Sequence, residues 1–148
     1  MNAEAQVYWN QFWRGKVMPQ SVSAWQFGGS PNELAKLVVD RVKTATCSGH
    51  VFYELEKEPL PQVDDYSVVL NSKEEPVCII RTSSVVTMPM KEVPESFAIS
   101  EGEGDLSYEY WRNVHIEFFT YELIRIGLEF SEDMQLVCER FELIDVKK

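Results

Sequence analysis

A lysine and a threonine three positions apart are the residues of this sequence with the clearest chemical potential. Lys43 and Thr46 lie in the stretch KTATCS at 43–48. Nucleophilic catalysis by a hydroxyl group needs a base that activates the hydroxyl and a donor for the leaving group. The Thr46 hydroxyl could attack if a neutral Lys43 took its proton, which requires burial to lower a lysine pKa that is normally ~10.4. The alternative is an exposed lysine at a helix end and a threonine in a strand.

The two side chains can converge only if the backbone is not a regular strand at Lys43. Positions three apart in a strand point to opposite faces of the sheet. Lys43 must therefore still lie in the last turn of a helix or in a kink. The sequence allows this, because a helical pattern ends near Arg41 and a β-branched run begins at Val42.

Acidic residues alternate with glycines in the stretch EGEGD at 101–105. The glycines let the backbone bend, so Glu101 or Glu103 can direct a carboxylate into a cleft. A divalent-metal site that also includes Asp105 is conceivable, but no known calcium-loop spacing fits. The alternative is a solvated acidic turn in which Asp105 caps the following helix.

Aromatic residues, histidine and cysteine offer further candidates. Trp25 and Phe27, beside two glycines, can stack on a nucleobase, or can simply pack a loop against the core. His115 lies on an aromatic helix face, where a hydrogen-bonded core or cleft residue is the common case. The three cysteines cannot all pair within one chain and no secretory segment is recognised, so we expect free thiols. They contain no paired CxxC and do not predict a zinc site, and we expect no cofactor.

The elements that must position these residues begin with helices. The aromatic spacing of 3–13 predicts an amphipathic helix that lays an aromatic stripe on an apolar surface. Residues 15–29 are typical of an irregular connector. A second helix is predicted to begin at Ser30-Pro31, with Ser30 as its cap, and to end near Arg41.

Three strands and one long helix are predicted in the remainder of the chain. The strands are 66–70, 76–86 and 134–144, and short turns are expected between Met88 and Ala98. A helix over 106–127, capped by Asp105, should bury Tyr110, Trp111, Val114, Phe118 and Tyr121. The pattern favours an α+β fold, a small mixed β-barrel with flanking helices. We predict that the three strands share one curved sheet with the long helix outside it, in a single domain over 1–148 with an N-terminal helical extension at 1–23.

Net charge limits the classes of partner. The formal net charge is −10, and the Lys/Arg field that non-specific nucleic-acid binding needs is therefore missing overall. A local basic groove containing Lys36, Arg41 and Lys43 stays possible, but the balance favours a small, weakly charged ligand. The N-terminal residues lack the pattern of a signal peptide, and the apolar run at 85–90 is too short to span a bilayer. We expect a cytoplasmic protein without a membrane partner, and the sequence does not indicate its oligomeric state.

Several segments, in order, resemble the ASCH family. They are WQFG at 25–28, KTATCS at 43–48, YSVVL at 66–70, IIR at 79–81, EGEGD at 101–105 and WRNVHIEFF at 111–119. The resemblance covers 24–145 and is closest to the longer bacterial subgroup. The family motif reads Gly-x-Lys-x-x-Thr-x-Arg. Here Lys43 and Thr46 match it, whereas Arg41 stands in place of the Gly and Ser48 in place of the Arg.

The resemblance implies a PUA-like fold, a β-barrel with an adjoining cleft, and a role connected with RNA or nucleosides. One related branch hydrolyses the acetyl amide of N4-acetylcytidine, and a ribonuclease activity is attributed to another. By this resemblance Lys43 would be the base, Thr46 the nucleophile and Glu101 the carboxylate that orients or shuttles protons. The residues expected to bind substrate are Trp25, Phe27, Ser48, Arg81, Glu103, Trp111, Arg112 and His115.

Two main functional hypotheses follow. The first is a nucleoside- or nucleobase-directed pocket, with amide hydrolysis of an acylated cytidine as its reaction. The second is a non-catalytic RNA-binding or regulatory module, and a ribonuclease using the same residues is a third. The first hypothesis predicts that one cleft is lined by Trp25, Lys43, Thr46 and at least one of Glu101 and Glu103. The second predicts that phosphates meet Lys36, Arg41, Lys43 and Arg81.

Overall fold

The computed structural model describes residues 1–148, which form one five-stranded sheet with helices on both sides. The strands are β1 (Val22–Gln26), β2 (Ala45–Gly49), β3 (Tyr66–Leu70), β4 (Pro76–Pro89) and β5 (Gln135–Val146). The α-helices are α1 (Ala3–Trp13), α2 (Pro31–Val39), α3 (His50–Glu56), α4 (Glu95–Ser100) and α5 (Tyr108–Ile124), and a 3-10 turn spans Met90–Glu92.

The sheet has the order β1-β3-β4-β5-β2 and curls into a half-barrel. Strands β3, β4 and β5 form an antiparallel centre. Strand β1 joins one edge in parallel with β3, and β2 joins the other edge antiparallel to β5. The three strands predicted from sequence therefore share one sheet, and the prediction of an α+β fold with a curved sheet and flanking helices is confirmed. Strands β1 and β2, the first two strands along the chain, lie at opposite edges of the sheet.

Helix α1 covers one face of the sheet with the predicted aromatic stripe. Tyr8 and Trp9 are buried in a cluster with Val68, Leu70 and Ile79 of the central strands. The Tyr8 hydroxyl donates to the Asp145 carboxylate at 2.8 Å. Burial and this acidic partner raise the pKa of Tyr8, so the hydroxyl stays a donor at neutral pH. The helix is therefore held by apolar contacts and by a partly buried hydrogen bond.

The connection from α2 to β2 ends the helix in a left-handed turn. Arg41 has φ 62°, and the Val42 amide donates to the Leu37 carbonyl at 2.9 Å while the Arg41 amide donates to Val38 at 3.0 Å. These two bonds define a Schellman motif, whose left-handed residue is usually glycine. The turn is thus formed although Arg41 replaces the glycine of the family motif. Lys43 lies just after it and before the first residue of β2, Ala45.

The prediction of an irregular connector over residues 15–29 is wrong for its second half. Residues Val22–Gln26 form β1, which pairs with Tyr66–Leu70. Strand β1 has only one neighbour, so its burial pattern does not alternate cleanly, and the periodic signal of a half-buried strand is weak there. The second helix begins at Pro31 as expected, but the Ser30 side chain makes no capping hydrogen bond.

Helix α5 differs from its prediction at its start and on its buried face. Ser107 caps it by accepting from the Tyr110 amide, whereas Asp105, two residues before Ser107, accepts from the Ser107 amide. The buried side chains are Trp111, Phe119 and Leu123, spaced by four or eight along the helix. Tyr110, Phe118 and Tyr121, predicted to be buried, are exposed by 39% or more. An aromatic-rich helix offers two overlapping stripes, and packing against the sheet selects one.

The middle of the chain is more regular than the predicted short turns between Met88 and Ala98. Strand β4 continues to Pro89, and a 3-10 turn and α4 follow it. Helix α3, only seven residues long, was not predicted. None of the helices is long and apolar enough to traverse a bilayer.

Candidate functional site

A cavity of about 750 Å³ opens between the two edge strands of the half-barrel. Residues of β1 and β2 border it, α3 and α5 supply further walls, and the segment 56–61 lies at its rim. The sheet contributes the polar side chains of Thr46, Ser67, Thr82 and Glu139 to its surface. A volume of this size is typical of a pocket for a small molecule.

Aromatic side chains form much of the apolar wall. The rings of Trp25 and Phe27 meet edge to face, with centroids 4.8 Å apart. Phe52 and Phe118 contribute from α3 and α5, and Tyr53 does so with its hydroxyl 2.8 Å from Ser48 Oγ. Such a wall suits a flat heterocycle, which stacks on aromatic faces.

The charges that line the cavity are all acidic. Five carboxylates contribute, and no lysine or arginine does: Glu56, Glu58, Asp65, Glu122 and Glu139. An anionic ligand would be repelled and would find no cation to pair with. The cavity therefore favours an uncharged or cationic ligand over one that carries phosphate.

Lys43 lies in the protein interior behind this cavity, in an ion-pair network. Its side chain is 1% exposed, and that of Glu101 is 2% exposed. The Lys43 ammonium donates to Glu101 Oε1 at 3.1 Å, to the Glu101 carbonyl at 3.3 Å and to Glu103 Oε2 at 2.9 Å. An ammonium has three donors, so all three are used.

The network keeps Lys43 in its charged form. Burial alone would lower the pKa of Lys43, but the carboxylates of Glu101 and Glu103 outweigh it, and the pKa is raised above its usual value. Cys47 lies beside the same Glu101, and the pKa of its thiol is raised well above the usual value by burial and by that carboxylate. The resting site therefore contains an ammonium and a neutral thiol.

Gly102 allows the acidic loop to approach Lys43 so closely. It has φ 72°, and a Cβ added there would clash with the Val42 carbonyl oxygen and lie 2.9 Å from Lys43 Cα. The Thr44 amide donates to the Ser100 carbonyl at 2.8 Å and fastens the same two segments. The sequence predicted that glycine would direct a carboxylate inward, and Gly102 does so by close backbone contact.

The other oxygen of Glu101 is held by helix α5. Trp111 Nε1 donates to Glu101 Oε2 at 2.6 Å, and His115 Nε2 lies 3.5 Å from the same oxygen. The His115 ring stacks on Trp111, with centroids 4.4 Å apart, and its Nδ1 is 2.7 Å from the Trp111 carbonyl. Trp111 and His115 thus fix the orientation of the carboxylate.

Ligand atoms of Cys47, Glu101 and His115 lie within 4.8 Å of one another, a group that could hold a metal ion. The thiol would have to lose its proton, against its raised pKa. The metal would also compete with the Lys43 ammonium and the Trp111 N–H for the two oxygens of Glu101. The chemistry of these donors therefore suits a proton-sharing network better than a cation site.

Glu139 is the carboxylate on the cavity floor that sequence reasoning missed. It lies directly opposite Thr46 in the β2–β5 ladder, and Thr82 Oγ1, 3.5 Å from Glu139 Oε1, is its one side-chain donor. Burial raises the pKa of Glu139 to about 7, with Thr82 opposing and Asp65 adding to the rise. A signal was present in the sequence: Glu139 is two residues from both Val137 and Phe141, so it shares a face of the strand with two buried apolar residues.

Most of the predicted site residues belong to one of two groups, the cavity wall and the ion-pair network. Those that line the cavity are Trp25, Phe27, Thr46 and Ser48. Those in the network behind it are Lys43, Glu101, Glu103, Trp111 and His115. Lys43 and Glu101 thus contact each other, but they are not among the residues that form the cavity wall.

Two predicted substrate-binding residues and the predicted basic stripe lie elsewhere. Arg81 pairs with Glu142 at 2.7 Å and Arg112 with Glu132 at 2.8 Å, and neither lines the cavity. The phosphate-binding stripe needed an exposed Lys43, and burial of this side chain against two carboxylates removes it from that role. Both guanidinium groups are instead paired with carboxylates outside the cavity.

Comparison with known proteins identifies the class. The half-barrel with flanking helices is shared with the crystal structure of an ASCH domain from Lactobacillus crispatus JV V101, with a TM-score of 0.93 and 35% identity over 98% of this chain and 96% of that one. Protein EF3133 from Enterococcus faecalis V583 is 40% identical over 100% and 97% of the two chains, with a TM-score of 0.87. The ASCH structure from Zymomonas mobilis, with 11% identity over 85% and 71% and a TM-score of 0.51, shares the fold alone.

The family model of the ASCH domain matches residues 23–145. The chain belongs to the ASCH domain family, as the sequence resemblance predicted. Among curated proteins, none matches the chain.

Proposed function

We propose that this protein binds an uncharged nucleoside in the cavity between β1 and β2 and hydrolyses an acyl amide on a cytosine ring. The observation that carries the proposal is the lining of the cavity: aromatic walls, a threonine hydroxyl and five carboxylates, with no lysine or arginine. A nucleoside offers a flat base and a neutral sugar. Membership of the ASCH family fits an RNA-related role at this coarser level.

Thr46 is the proposed nucleophile, because its side chain borders the cavity at the edge of the sheet. Attack of its oxygen on the acyl carbon would give an acyl-threonine ester and release the cytosine amine, and water would then hydrolyse the ester. The roles of Lys43 as base and Glu101 as proton shuttle remain predictions. For Lys43 to act as base, ligand binding would have to break the ion pairs that hold its proton.

Ligand class is tested by calorimetric titration with cytidine, N4-acetylcytidine and cytidine 5′-monophosphate. We expect the two nucleosides to bind and the monophosphate to bind at least about tenfold more weakly, a gap that added salt reduces because it screens the carboxylates. Tighter binding of the monophosphate would contradict an acidic nucleoside pocket. Tight binding of an RNA oligonucleotide with a steep inverse salt dependence would instead favour the RNA-binding module.

Turnover is tested by following release of cytidine from N4-acetylcytidine. Thr46→Val should remove nearly all hydrolysis while cytidine still binds, because the hydroxyl that attacks is gone and the shape is largely kept. Thr87→Val is the matched control, since Thr87 is an exposed strand threonine outside the cavity. Undiminished turnover in Thr46→Val would exclude Thr46 as nucleophile.

A further inference from the structure

The residue predicted to activate Thr46 is poorly placed to do so. Lys43 donates all three of its hydrogens to Glu101 and Glu103, and its pKa is raised. A base must have a free electron pair, so Lys43 would first have to lose a proton that two carboxylates hold. Another acceptor for the Thr46 proton is therefore needed within the cavity.

Strand β2 directs Thr46 away from the Lys43 network. Ala45 and Cys47 pack with the apolar cluster around Trp111, and Cys47 lies against Glu101. Successive side chains of a strand alternate between its faces, so Thr46 points to the face opposite Cys47. That face is the one on which Thr46 and Glu139 are cross-strand partners. The Cβ atoms of directly opposed residues in an antiparallel pair are about 5 Å apart.

Glu139 has no cation to neutralise it. It forms no ion pair, its Oε1 has the long contact with Thr82, and no hydrogen bond to Oε2 is present. Its neighbour Arg140 directs its guanidinium to Ser100 and over the Phe97 ring, on the other face of β5. The other titratable groups that line the cavity are Cys47, Tyr53, Glu56, Glu58, Asp65, Tyr66 and Glu122.

We propose that Glu139 is a catalytic residue of the proposed hydrolysis, the acceptor of the Thr46 hydroxyl proton. This inference rests on the proposed function. The Glu139 carboxylate takes the proton as the Thr46 oxygen bonds to the acyl carbon. The resulting carboxylic acid returns it to the cytosine nitrogen as the carbon–nitrogen bond breaks. In the hydrolysis of the acyl-threonine ester, the carboxylate takes a proton from the attacking water. It gives that proton to the threonine oxygen as the bond from this oxygen to the acyl carbon breaks.

The protonation state of Glu139 suits this cycle. Burial raises the pKa of its carboxyl to about 7, and general bases work best when their pKa is near the working pH. A base of this kind is a stronger proton acceptor than an exposed glutamate and is still ionised in about half of the molecules at neutral pH. The same group, once protonated, is a competent acid for the leaving amine.

The test is the pH profile of kcat/KM for N4-acetylcytidine, measured from about pH 5 to about pH 9.5. With Glu139 as base, the wild-type value rises tenfold per pH unit below about pH 7 and is level above about pH 8. With Lys43 as base, it would still be rising at about pH 9. Glu139→Gln should lower kcat by about 10²–10⁴-fold with KM changed by less than about threefold.

Two further variants separate the possible outcomes. Glu139→Asp keeps a carboxylate, so part of the activity should return with a shifted profile. Glu142→Gln, on the same strand but in an exposed ion pair with Arg81, should behave as wild type. Turnover that is unchanged in Glu139→Gln, or that still rises at about pH 9, would overturn the inference and leave the hydrolase proposal standing. Wild-type protein that binds cytidine but shows no turnover at any pH would overturn both the hydrolysis and the role of Glu139.

Discussion

Glu101 and Glu139 are both carboxylates withdrawn from water, but they have opposite surroundings. Glu101 is bound by an ammonium on one oxygen and by an indole N–H on the other. Glu139 has one weak hydroxyl contact and faces a cavity. The first is a closed network whose members satisfy one another, and the second is a charge without a partner. Spare hydrogen-bonding capacity, which a ligand or a proton transfer needs, is found at Glu139.

This difference shows that the residues marked as catalytic by family resemblance are not those with free hydrogen-bonding capacity. The motif residues Lys43 and Glu101 are the ones that resemblance marks as catalytic, yet their contacts are those of a fixed structural unit. A buried ion pair of this kind is costly to break because one charge is then left without compensation. We expect the network to position β2 and the acidic loop, and the cavity floor to carry the chemistry.

Removal of the Lys43 charge should give the largest effect. Lys43→Met removes the ammonium that neutralises Glu101 and Glu103, and we expect it to lower the free energy of unfolding by about 3–5 kcal/mol. Urea denaturation measures this. The control is Lys36→Met, which removes an exposed ion pair with Asp40 and should cost no more than about 0.5 kcal/mol. A loss below about 1 kcal/mol in Lys43→Met would mean that the network is not a closed unit.

Neutralisation of Glu139 should stabilise the protein. The pKa of its carboxyl is raised from 4.5 to about 7, so the native state holds the proton more tightly, and stability falls as pH rises through that window. Glutamine does not ionise, so Glu139→Gln does not lose stability in this way. We expect the variant to be more stable than wild type by about 3 kcal/mol at pH 8 and equal to it near pH 4. Denaturation at the two pH values gives the comparison. Equal stabilities at pH 8 would show that Glu139 is not a destabilising charge.

A methyl group at Gly102 should push the acidic loop, with Glu101 and Glu103, away from Lys43. Gly102→Ala places a Cβ against the Val42 carbonyl oxygen and also requires a left-handed alanine, and we expect a loss of about 2 kcal/mol. Gly127→Ala is the control, because Gly127 has φ 77° but open space around its missing Cβ; it should lose about 1 kcal/mol, the backbone cost alone. Thermal unfolding of both variants isolates the contribution of close contact. Equal losses would mean that the acidic loop tolerates displacement.

Replacement of Arg41, whose backbone is left-handed, should give the smallest change in the free energy of unfolding. Arg41 has φ 62° at the end of α2, so Arg41→Gly should raise the free energy of unfolding by about 0.5–1 kcal/mol. Arg41→Ala keeps the strain and removes the side chain, and it should show no gain. If both variants gain equally, the side chain and not the backbone is the source of the strain.

Sequence predicted the elements that have strong local signals. Strand β3 was predicted with its observed bounds, because turn-forming residues stand on both sides of a β-branched run. Strand β1 has only five residues, and helix α3 has seven and follows β2 without a connecting segment, so periodicity gives little in either. Asp105 and Ser107 both suit a helix cap, and only the hydrogen bond to the Tyr110 amide identifies Ser107.

The residues of the candidate site also divide into those that the sequence predicted and those that it did not. Trp25, Phe27 and Thr46 were predicted as cavity residues because they stand in loops or at element ends, where sites are built. Glu139 was not, since its importance comes from Thr46 across a ladder that joins distant parts of the chain. The burial of Lys43 could not be read from its neighbours in sequence either, because the two carboxylates that surround it come from residues 101–103.

The strand order has a consequence for synthesis on the ribosome. Strand β2 can pair only with β5, so it emerges long before its partner and must wait as an unpaired segment while β3 and β4 form a local hairpin. Non-local pairings form late, because loop closure has to be achieved before contacts compensate for it. We expect pulsed hydrogen exchange during refolding to protect the amides of β3 and β4 before those of β2. The pocket would then be the last part of the nascent protein to mature, and ligand present at that moment would favour completion of the fold.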